Sequence, residues 1–234
     1  MEFYKKESKN EIIKYASIYN KDIDSTHLLS DSFIKELAEE TTHLFKIFVG
    51  NYTEVIFEDG QPYDNVVEMQ NDFFGKGILR ISKDFNESPI FDKETNLLNR
   101  ALHDYLHCRL SAPFTYEGEK KVFEATCLMM GKKFHSVMFS EFVLQTASTC
   151  AANGQFPVQK VVLVDKNKVL KHNKETVIYA VRNSILLNAK SFELKMIDGP
   201  NVYLNLPTAQ KTGTFKQKSD YAKIKSIEIL KNYL

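Results

Sequence analysis

The stretch with the clearest helical pattern is Lys93–Leu110, which reads KETNLLNRALHDYLHCRL. Apolar residues recur at helical spacing along one face: Leu98, Ala101, Leu102 and Tyr105. Further leucines lie on the other faces, and a helix that is apolar on several sides is typical of a protein interior. Residues 111–113 read Ser-Ala-Pro, and the proline ends the helix because it clashes with the preceding turn. The stretch therefore predicts a buried central helix.

Two more helices are predicted directly after it. Thr115 can cap a helix that runs to about residue 130, and Gly131 closes it. A third helix is expected from about residue 137 to 152, where Asn153 and Gly154 end it. Residues 94–153 are thus predicted to form a central three-helix cluster.

Short strands are expected on both sides of this cluster. Alternating or β-rich runs lie before it at 52–57 and 77–82. After it, the pattern predicts a strand at 158–164, a helix at 175–188, a hairpin formed by 192–197 and 202–206, and a last helix at 219–234. Two earlier helices are predicted at 10–19 and from Ser30 or Asp31 to Gly50. The predicted fold class is α+β, with a C-terminal β-α-β-β-α segment.

Charge divides the chain unevenly, although the net charge of the 234 residues is only +1. Residues 151–234 hold 14 Lys and Arg against 6 Asp and Glu, and residues 1–150 hold 17 against 24. The pattern changes near residue 156, which predicts a helical domain at 1–156 with the metal site and a smaller basic α/β segment at 157–234. One continuous domain is the alternative. The basic part is a candidate surface for nucleic acid, or its lysines only solubilise the surface.

Composition favours a folded protein of a reducing compartment. The three cysteines, Cys108, Cys127 and Cys150, are an odd number without metal-knuckle spacing, so a disulfide framework is not expected. No apolar run is long enough to span a bilayer, and the first residues lack a signal core. We therefore expect no membrane partner.

The chemistry is expected between His103 and Gln145. His103 and His107 are four residues apart on one helical face, which lets both imidazoles reach one metal ion. Glu119 and Glu141 are the candidate carboxylates on the two following helices. We predict that His103, His107 and Glu141 are metal ligands, with Glu119 as the other choice of carboxylate.

Asp104 and Glu119 are the candidate catalytic residues. Asp104 is turned about 100° from His103 on a helix, so it should point away from the metal and act in support. Two histidines and one carboxylate with open positions suit zinc hydrolysis or ferrous iron chemistry, and zinc is the predicted ion. The alternative is that the histidines are core residues bonded to carboxylates or backbone carbonyls.

The run NRALHDYLH…PFTYEGEKKVFEA…FSEFVLQTA resembles an uncharacterised family encoded by tailed bacteriophages. That family has a His-Asp-x-x-(Gly)-His helix, then Phe, then Gly-Glu, then a helix with Glu and Gln. The matching positions are His103, Asp104, His107, Phe114, Gly118, Glu119, Glu141 and Gln145. The resemblance covers about residues 97–160, and the family often has one more residue, a glycine, before the second histidine. It implies a phage origin and a location in the host cytoplasm or the virion.

Two looser resemblances concern the reaction. HDYLH is similar to the HExxH helix of zinc proteases, but Asp104 is one methylene shorter than the glutamate base of that motif. His43, His103-Asp104 and Asp165 resemble an HD-type phosphohydrolase, whose wholly helical fold disagrees with the predicted strands.

Two functions remain open from the sequence. One is a metal-dependent hydrolase that uses His103, His107 and a glutamate. The other is a phage structural or assembly protein of the connector or ring type, because subunits that pack head to tail are served by opposite charges on opposite faces. A homo-oligomer or a complex with other phage proteins is the expected assembly.

Overall fold

A computed structural model describes residues 3–51 and 53–164 and, as separate strands, residues 193–196 and 202–205. Seven α-helices and four strands are described, in chain order: α1 Lys9–Lys21, α2 Asp31–Phe45, β1 Glu54–Glu58, α3 Val66–Lys76, β2 Ile78–Ser82, α4 Lys93–Leu110, α5 Tyr116–Met129, α6 His135–Phe139, α7 Gln145–Ala151, β3 Glu193–Met196 and β4 Val202–Asn205. Short 3-10 turns lie at Lys6–Ser8, Thr26–Leu28 and Lys132–Phe134. The predicted mixture of helices and strands is confirmed.

Helix α4 is the centre of the described part, as its sequence predicts. Asp92 begins it by accepting a hydrogen bond from the Thr95 amide at 2.7 Å, and Ser111 ends it in the left-handed region. Helices α2, α3 and α5 and strand β2 all pack against it. Leu106 and Cys108 on α4 are fully buried, so neighbours cover the helix on several sides.

The third predicted helix is a continuous helical stretch that contains a π turn. Helix α6 continues through the π turn Ser140–Leu144 into α7, and Asn153 and Gly154 end it with positive φ angles. A π turn holds one more residue than an α turn, and such turns occur often at functional sites. A second π turn, Lys46–Gly50, extends α2 to the residue where the sequence predicts its end.

Strands β1 and β2 form a parallel pair, with Glu54 opposite Ile78 and Glu58 opposite Ser82. Parallel neighbours need a crossover, and α3 supplies it. The sequence analysis missed this helix. Its signal is nevertheless present, because Asn65 caps the Val67 and Glu68 amides while the Glu68 carboxylate accepts from the Asp64 amide.

The predicted strand at 158–164 is wrong. These residues have no regular secondary structure and belong to no ladder among the described residues. Side chains and the Ser25 amide, which donates to the Val161 carbonyl oxygen at 2.7 Å, bond their backbone instead. The Val162 amide donates to Ser140 Oγ at 2.8 Å, and the Lys160 amide donates to the Tyr19 hydroxyl at 3.2 Å. Alternation of valines with other residues cannot show whether a neighbouring strand is available, and here helices α1 and α6 flank the segment.

The C-terminal predictions are described only in part. Strands β3 and β4 pair antiparallel, with Glu193 opposite Asn205, in the place predicted for the hairpin. The helices predicted at 175–188 and 219–234 lie outside the described residues, and the division near residue 156 stays a prediction. Within the described part of the chain, no helix has the length and apolar character needed to cross a membrane.

Candidate metal centre

Helix α4 presents two imidazoles on one face. His103 and His107 are separated by one helical turn, and their ring centroids are 4.6 Å apart. The His107 side chain has no exposed surface, whereas 19% of the His103 side chain is exposed. One end of the pair is therefore sealed in the core, and the other end reaches solvent.

Helix α5 supplies a carboxylate opposite these rings. Thr115 caps the helix by accepting from the Gly118 amide at 3.3 Å, which places Glu119 at the end of the first turn. Gly118 allows a close approach, since a Cβ atom built there would lie 1.8 Å from the Pro113 carbonyl oxygen. The loop between α4 and α5 can thus fold tightly against α5, and Glu119 faces α4.

The three side chains meet at short distances. Glu119 Oε2 lies 2.8 Å from His103 Nε2, and Glu119 Oε1 lies 3.2 Å from His107 Nε2. One ligand atom from each residue lies within 4.8 Å of the other two, so the group can hold a metal ion. Tetrahedral zinc with bonds of about 2.0–2.1 Å would place its ligand atoms about 3.3 Å apart, close to the distances found here.

The hydrogen bonds at the far side of each ring fix which nitrogen faces Glu119. His107 Nδ1 lies 2.9 Å from the Ala112 carbonyl oxygen, which can only accept, so Nδ1 carries the proton. His103 Nδ1 lies 3.3 Å from Asp104 Oδ1, again an acceptor. Both rings therefore direct Nε2 at the carboxylate. Metal-binding histidines commonly have such outer partners, which orient the ring.

His107 Nε2 is a buried atom without a hydrogen bond among the described residues, although Glu119 Oε1 is within 3.2 Å. A neutral His107 has a lone pair at this nitrogen, aimed at the lone pairs of an ionised carboxylate. Such an arrangement requires a proton or a metal cation between the groups.

The pKa shifts of His103 and Glu119 agree with the need for a proton or a cation within this group. Burial lowers the pKa of His103, but the negative charge of Glu119 and the hydrogen bonds to Asp104 and Glu119 outweigh it and raise that pKa to about 10. Burial raises the pKa of Glu119, but its electrostatic interactions and hydrogen bonds with His107 and His103 outweigh it and hold that pKa well below its usual range. Without metal, a proton on His103 Nε2 therefore bridges His103 and Glu119.

Two phenylalanines fix the positions of the rings. Phe114 packs edge-on against His107, with ring centroids 5.2 Å apart, and Phe142 packs against His103 at 4.7 Å. Both imidazoles are thereby confined to the orientation that faces Glu119. Neither Phe142 nor the Ala112 carbonyl was among the predicted site groups, because neither carries a motif.

The remaining predicted site residues lie outside the group. Glu141 is in the π turn Ser140–Leu144, and burial alone raises its pKa to about 7. The negative charge of Glu141 acts on Tyr19, and the next residue, Phe142, is the one that contacts His103. The structure therefore groups Glu119 with the two histidines, whereas Glu141 was the first choice from the sequence.

Asp104 and His43 take other positions. Asp104 Oδ1 lies 3.3 Å from His103 Nδ1, and Asp104 does not belong to the group that can hold a metal. This is the supporting position that helical geometry predicts for Asp104. His43 is exposed near the end of α2 and lies outside the group. Asp165, the third residue of the HD-type resemblance, lies outside the described residues.

The fold and the site define a mostly helical protein with a small parallel sheet and a His/His/Glu group that can hold a metal ion. Comparison with known proteins adds nothing to this description: no protein-family model, no curated protein and no solved structure matches the chain.

Proposed function

We propose that His103, His107 and Glu119 bind one divalent cation, with zinc the preferred ion, and that the protein is a metal-dependent hydrolase. The observation that carries the proposal is that one ligand atom from each of His103, His107 and Glu119 lies within 4.8 Å of the others, with the buried His107 Nε2 3.2 Å from Glu119 Oε1. A cation between these atoms would satisfy both lone pairs at once. Two histidines and one carboxylate form a known ligand set of zinc hydrolases.

The arrangement of exposed surface supports an open site. His107 is sealed, while 19% of the His103 side chain and 15% of the Glu119 side chain remain exposed. A bound cation would therefore keep coordination positions on the solvent side, where it can activate a water molecule and polarise a substrate. The residues of this chain hold the geometry: the Ala112 carbonyl orients His107, and Asp104 orients His103.

Metal analysis of the purified protein tests the first half of the proposal. We expect about one equivalent of zinc per chain. Free zinc at 100 times its dissociation constant should add about 2.7 kcal/mol of stability, which raises the melting temperature by about 5–10 °C in a chain of this size. Glu119→Gln should weaken zinc binding at least about tenfold.

Glu124→Gln is the matched control. It changes the same side chain on the same helix, but Glu124 is outside the group of ligand atoms, so zinc binding should stay as in the wild type. If the wild type holds no metal and zinc leaves its melting temperature unchanged, the site is only a buried hydrogen-bonded group. If iron is retained in preference to zinc, the hydrolase reading is replaced by ferrous iron chemistry.

Hydrolysis is tested separately with model esters and phosphodiesters. Activity should depend on added zinc, disappear with a chelator and be lost in Glu119→Gln but kept in Glu124→Gln. Activity that survives in both variants would come from another part of the chain or from a contaminant.

A phage structural component with a structural metal is the second candidate, and the uneven charge of the chain favours it. The phage origin itself rests on the resemblance of residues 97–160, and a location in the host cytoplasm or virion follows from that origin. Attraction between residues 151–234 and the acidic remainder should build a ring or stack that dissociates as salt rises from about 50 mM to 500 mM, where screening is strong. Light scattering at both salt concentrations measures this, and a monomer at both would remove the assembly proposal.

A further inference from the structure

Residues 3–8 form an N-terminal strap across the beginning of α5 and the end of α7. The Phe3 carbonyl oxygen accepts a hydrogen bond from the Tyr116 amide at 2.9 Å and one from the Cys150 thiol at 3.8 Å. The Phe3 ring packs on Gly154, where a Cβ atom would lie only 3.0 Å from the ring. The strap therefore joins these two helices.

Glu117, the second residue of α5, fastens the strap with its carboxylate. Glu117 Oε1 accepts a hydrogen bond from the Lys5 amide at 2.9 Å. Burial raises the pKa of Glu117, but hydrogen bonds outweigh it and lower that pKa, the largest of them with the Ser8 side chain and the Lys5 amide. The carboxylate is therefore ionised at neutral pH and holds the strap at two points.

These contacts fall on the helical turn that carries the metal ligand of α5. The first N–H groups of a helix have no acceptor within the helix, and the Phe3 carbonyl oxygen supplies one for Tyr116. Without the strap this amide would lose its partner and the turn would fray, because helix ends open most easily. Glu119 is the fourth residue of α5, and metal bonds tolerate only about 0.2 Å of error. The position of Glu119 therefore depends on the strap.

The strap can lift while its neighbours stay folded. Lys5, Lys6 and Glu7 are exposed, so few contacts hold the middle of the strap. Helix α1 follows the strap but is fixed separately: it packs along α7, and Lys120 Nζ lies 2.9 Å and 3.0 Å from the two carboxylate oxygens of Glu11. Lifting the strap thus breaks the contacts of residues 3–8 and leaves α1 in place.

We propose that docking of the N-terminal strap and binding of zinc are coupled, so that the strap controls the zinc affinity of the protein. The inference rests on the proposed function, in which His103, His107 and Glu119 bind zinc. The docked strap keeps Glu119 beside the two histidines, and a lifted strap lets it move away. Because such coupling is reciprocal, bound zinc also holds the strap down. Cleavage after the exposed Lys5 or Lys6 would lower zinc affinity.

Zinc titration of the full chain tests the coupling with two variants of one residue. Glu117→Ala removes the acceptor of the Lys5 amide and should weaken zinc binding at least about fivefold. Glu117→Gln is the matched control, because its side-chain oxygen can accept the same amide, and it should bind zinc almost as tightly as the wild type. Ser30→Ala removes the cap of α2 instead, so it should lower stability and leave zinc affinity unchanged.

Hydrogen exchange tests the reciprocal effect. Saturating zinc should slow exchange of the Lys5 amide at least about fivefold, because the strap opens less often. The Leu28 amide donates to the Ser25 carbonyl oxygen in a separate turn, and its exchange should not change. Equal slowing at both amides would indicate general stabilisation and overturn the coupling, as would an unchanged rate at Lys5.

The zinc titrations also separate this inference from the proposed function. A wild type that binds no zinc would refute both. A wild type that binds zinc while Glu117→Ala binds it equally well would refute the coupling alone. Equal weakening in Glu117→Ala and Glu117→Gln would show that the carboxylate acts by its charge and not through the strap, which also overturns the coupling.

Discussion

Gly118→Ala should disrupt both the stability of the protein and its metal centre. The added Cβ would lie 1.8 Å from the Pro113 carbonyl oxygen, and Cβ atoms essentially never approach another atom closer than 3.0 Å. The start of α5 and the loop that holds Pro113 must therefore separate by at least 1.2 Å, the difference of these two distances. The obstacle is backbone and not a flexible side chain, so a rotamer change cannot relieve it.

The size of the effect follows from this displacement. Overpacking of this kind costs about 1–3 kcal/mol, and the upper end is expected here because backbone must move. For a chain of this size, about 3 kcal/mol lowers the melting temperature by about 6–12 °C. Glu119 is the next residue, and metal bonds tolerate only about 0.2 Å of error, so zinc affinity should fall at least about tenfold.

Calorimetry and zinc titration of the same samples measure both effects. Gly75→Ala is the control, since no atom lies within 4 Å of a Cβ at that position in α3. It should raise stability by up to about 1 kcal/mol, as alanine does in a helix, and leave zinc binding unchanged. A Gly118→Ala protein that melts and binds zinc like the wild type would refute the close packing. One that is destabilised but binds zinc normally would refute the link to Glu119.

Three further outcomes are expected. Burial raises the pKa of Glu141 to about 7, so the folded state holds this proton more tightly than the unfolded state. The free energy of unfolding should therefore fall as pH rises from about 4.5 to about 7. Urea titrations at several pH values should show that Glu141→Gln removes this part of the pH dependence. In metal-free protein, the raised pKa of His103 contributes stability that is complete below pH 6.5 and is lost as pH rises to about 10. His103→Gln should therefore make the melting temperature less dependent on pH over that range. An unchanged pH dependence would contradict the proton bridge between His103 and Glu119. Asp92→Ala removes the cap of α4 and should cost about 0.5–2 kcal/mol by chemical denaturation, whereas an unchanged midpoint would show that the bond to the Thr95 amide contributes nothing.

Local signals in the sequence predict most of the helices. The central helix spans Lys93–Leu110 as predicted and ends before Ser111-Ala-Pro, and Thr115 caps α5 as expected. Helix α3 was missed although Asn65 and Glu68 form a cap and Val66, Met69 and Phe73 recur at helical spacing. The segment at 158–164 has a strand pattern, yet whether a strand pairs depends on what lies beside it, and local sequence does not contain that information.

The candidate site was predictable up to its third member. Spacing places His103 and His107 on one face of a helix, because four residues make about one turn. The choice between Glu119 and Glu141 depends on how the following helices pack; Gly118 lets the start of α5 lie close to Pro113, and Glu119 is the carboxylate that lies with the histidines. The sequence shows Gly118 but not how close it lies to Pro113. The pattern could therefore name both carboxylates and could not rank them.

The π turn at Ser140–Leu144 determines how the protein responds to insertions and deletions. Loops usually accommodate a change in chain length, but here one extra residue is carried inside a helix that is packed on both sides of the turn. Removal of one residue from 140–144 would convert the π turn to α-helical spacing, and the helix on either side would keep its register because the turn holds the extra residue. The change would fall on the turn itself, where Phe142 and Ser140 contact His103 and the Val162 amide. A deletion scan should therefore find the regular helix α4 less tolerant of a lost residue than Ser140–Leu144, because only in α4 would the deletion turn the following residues by about 100°.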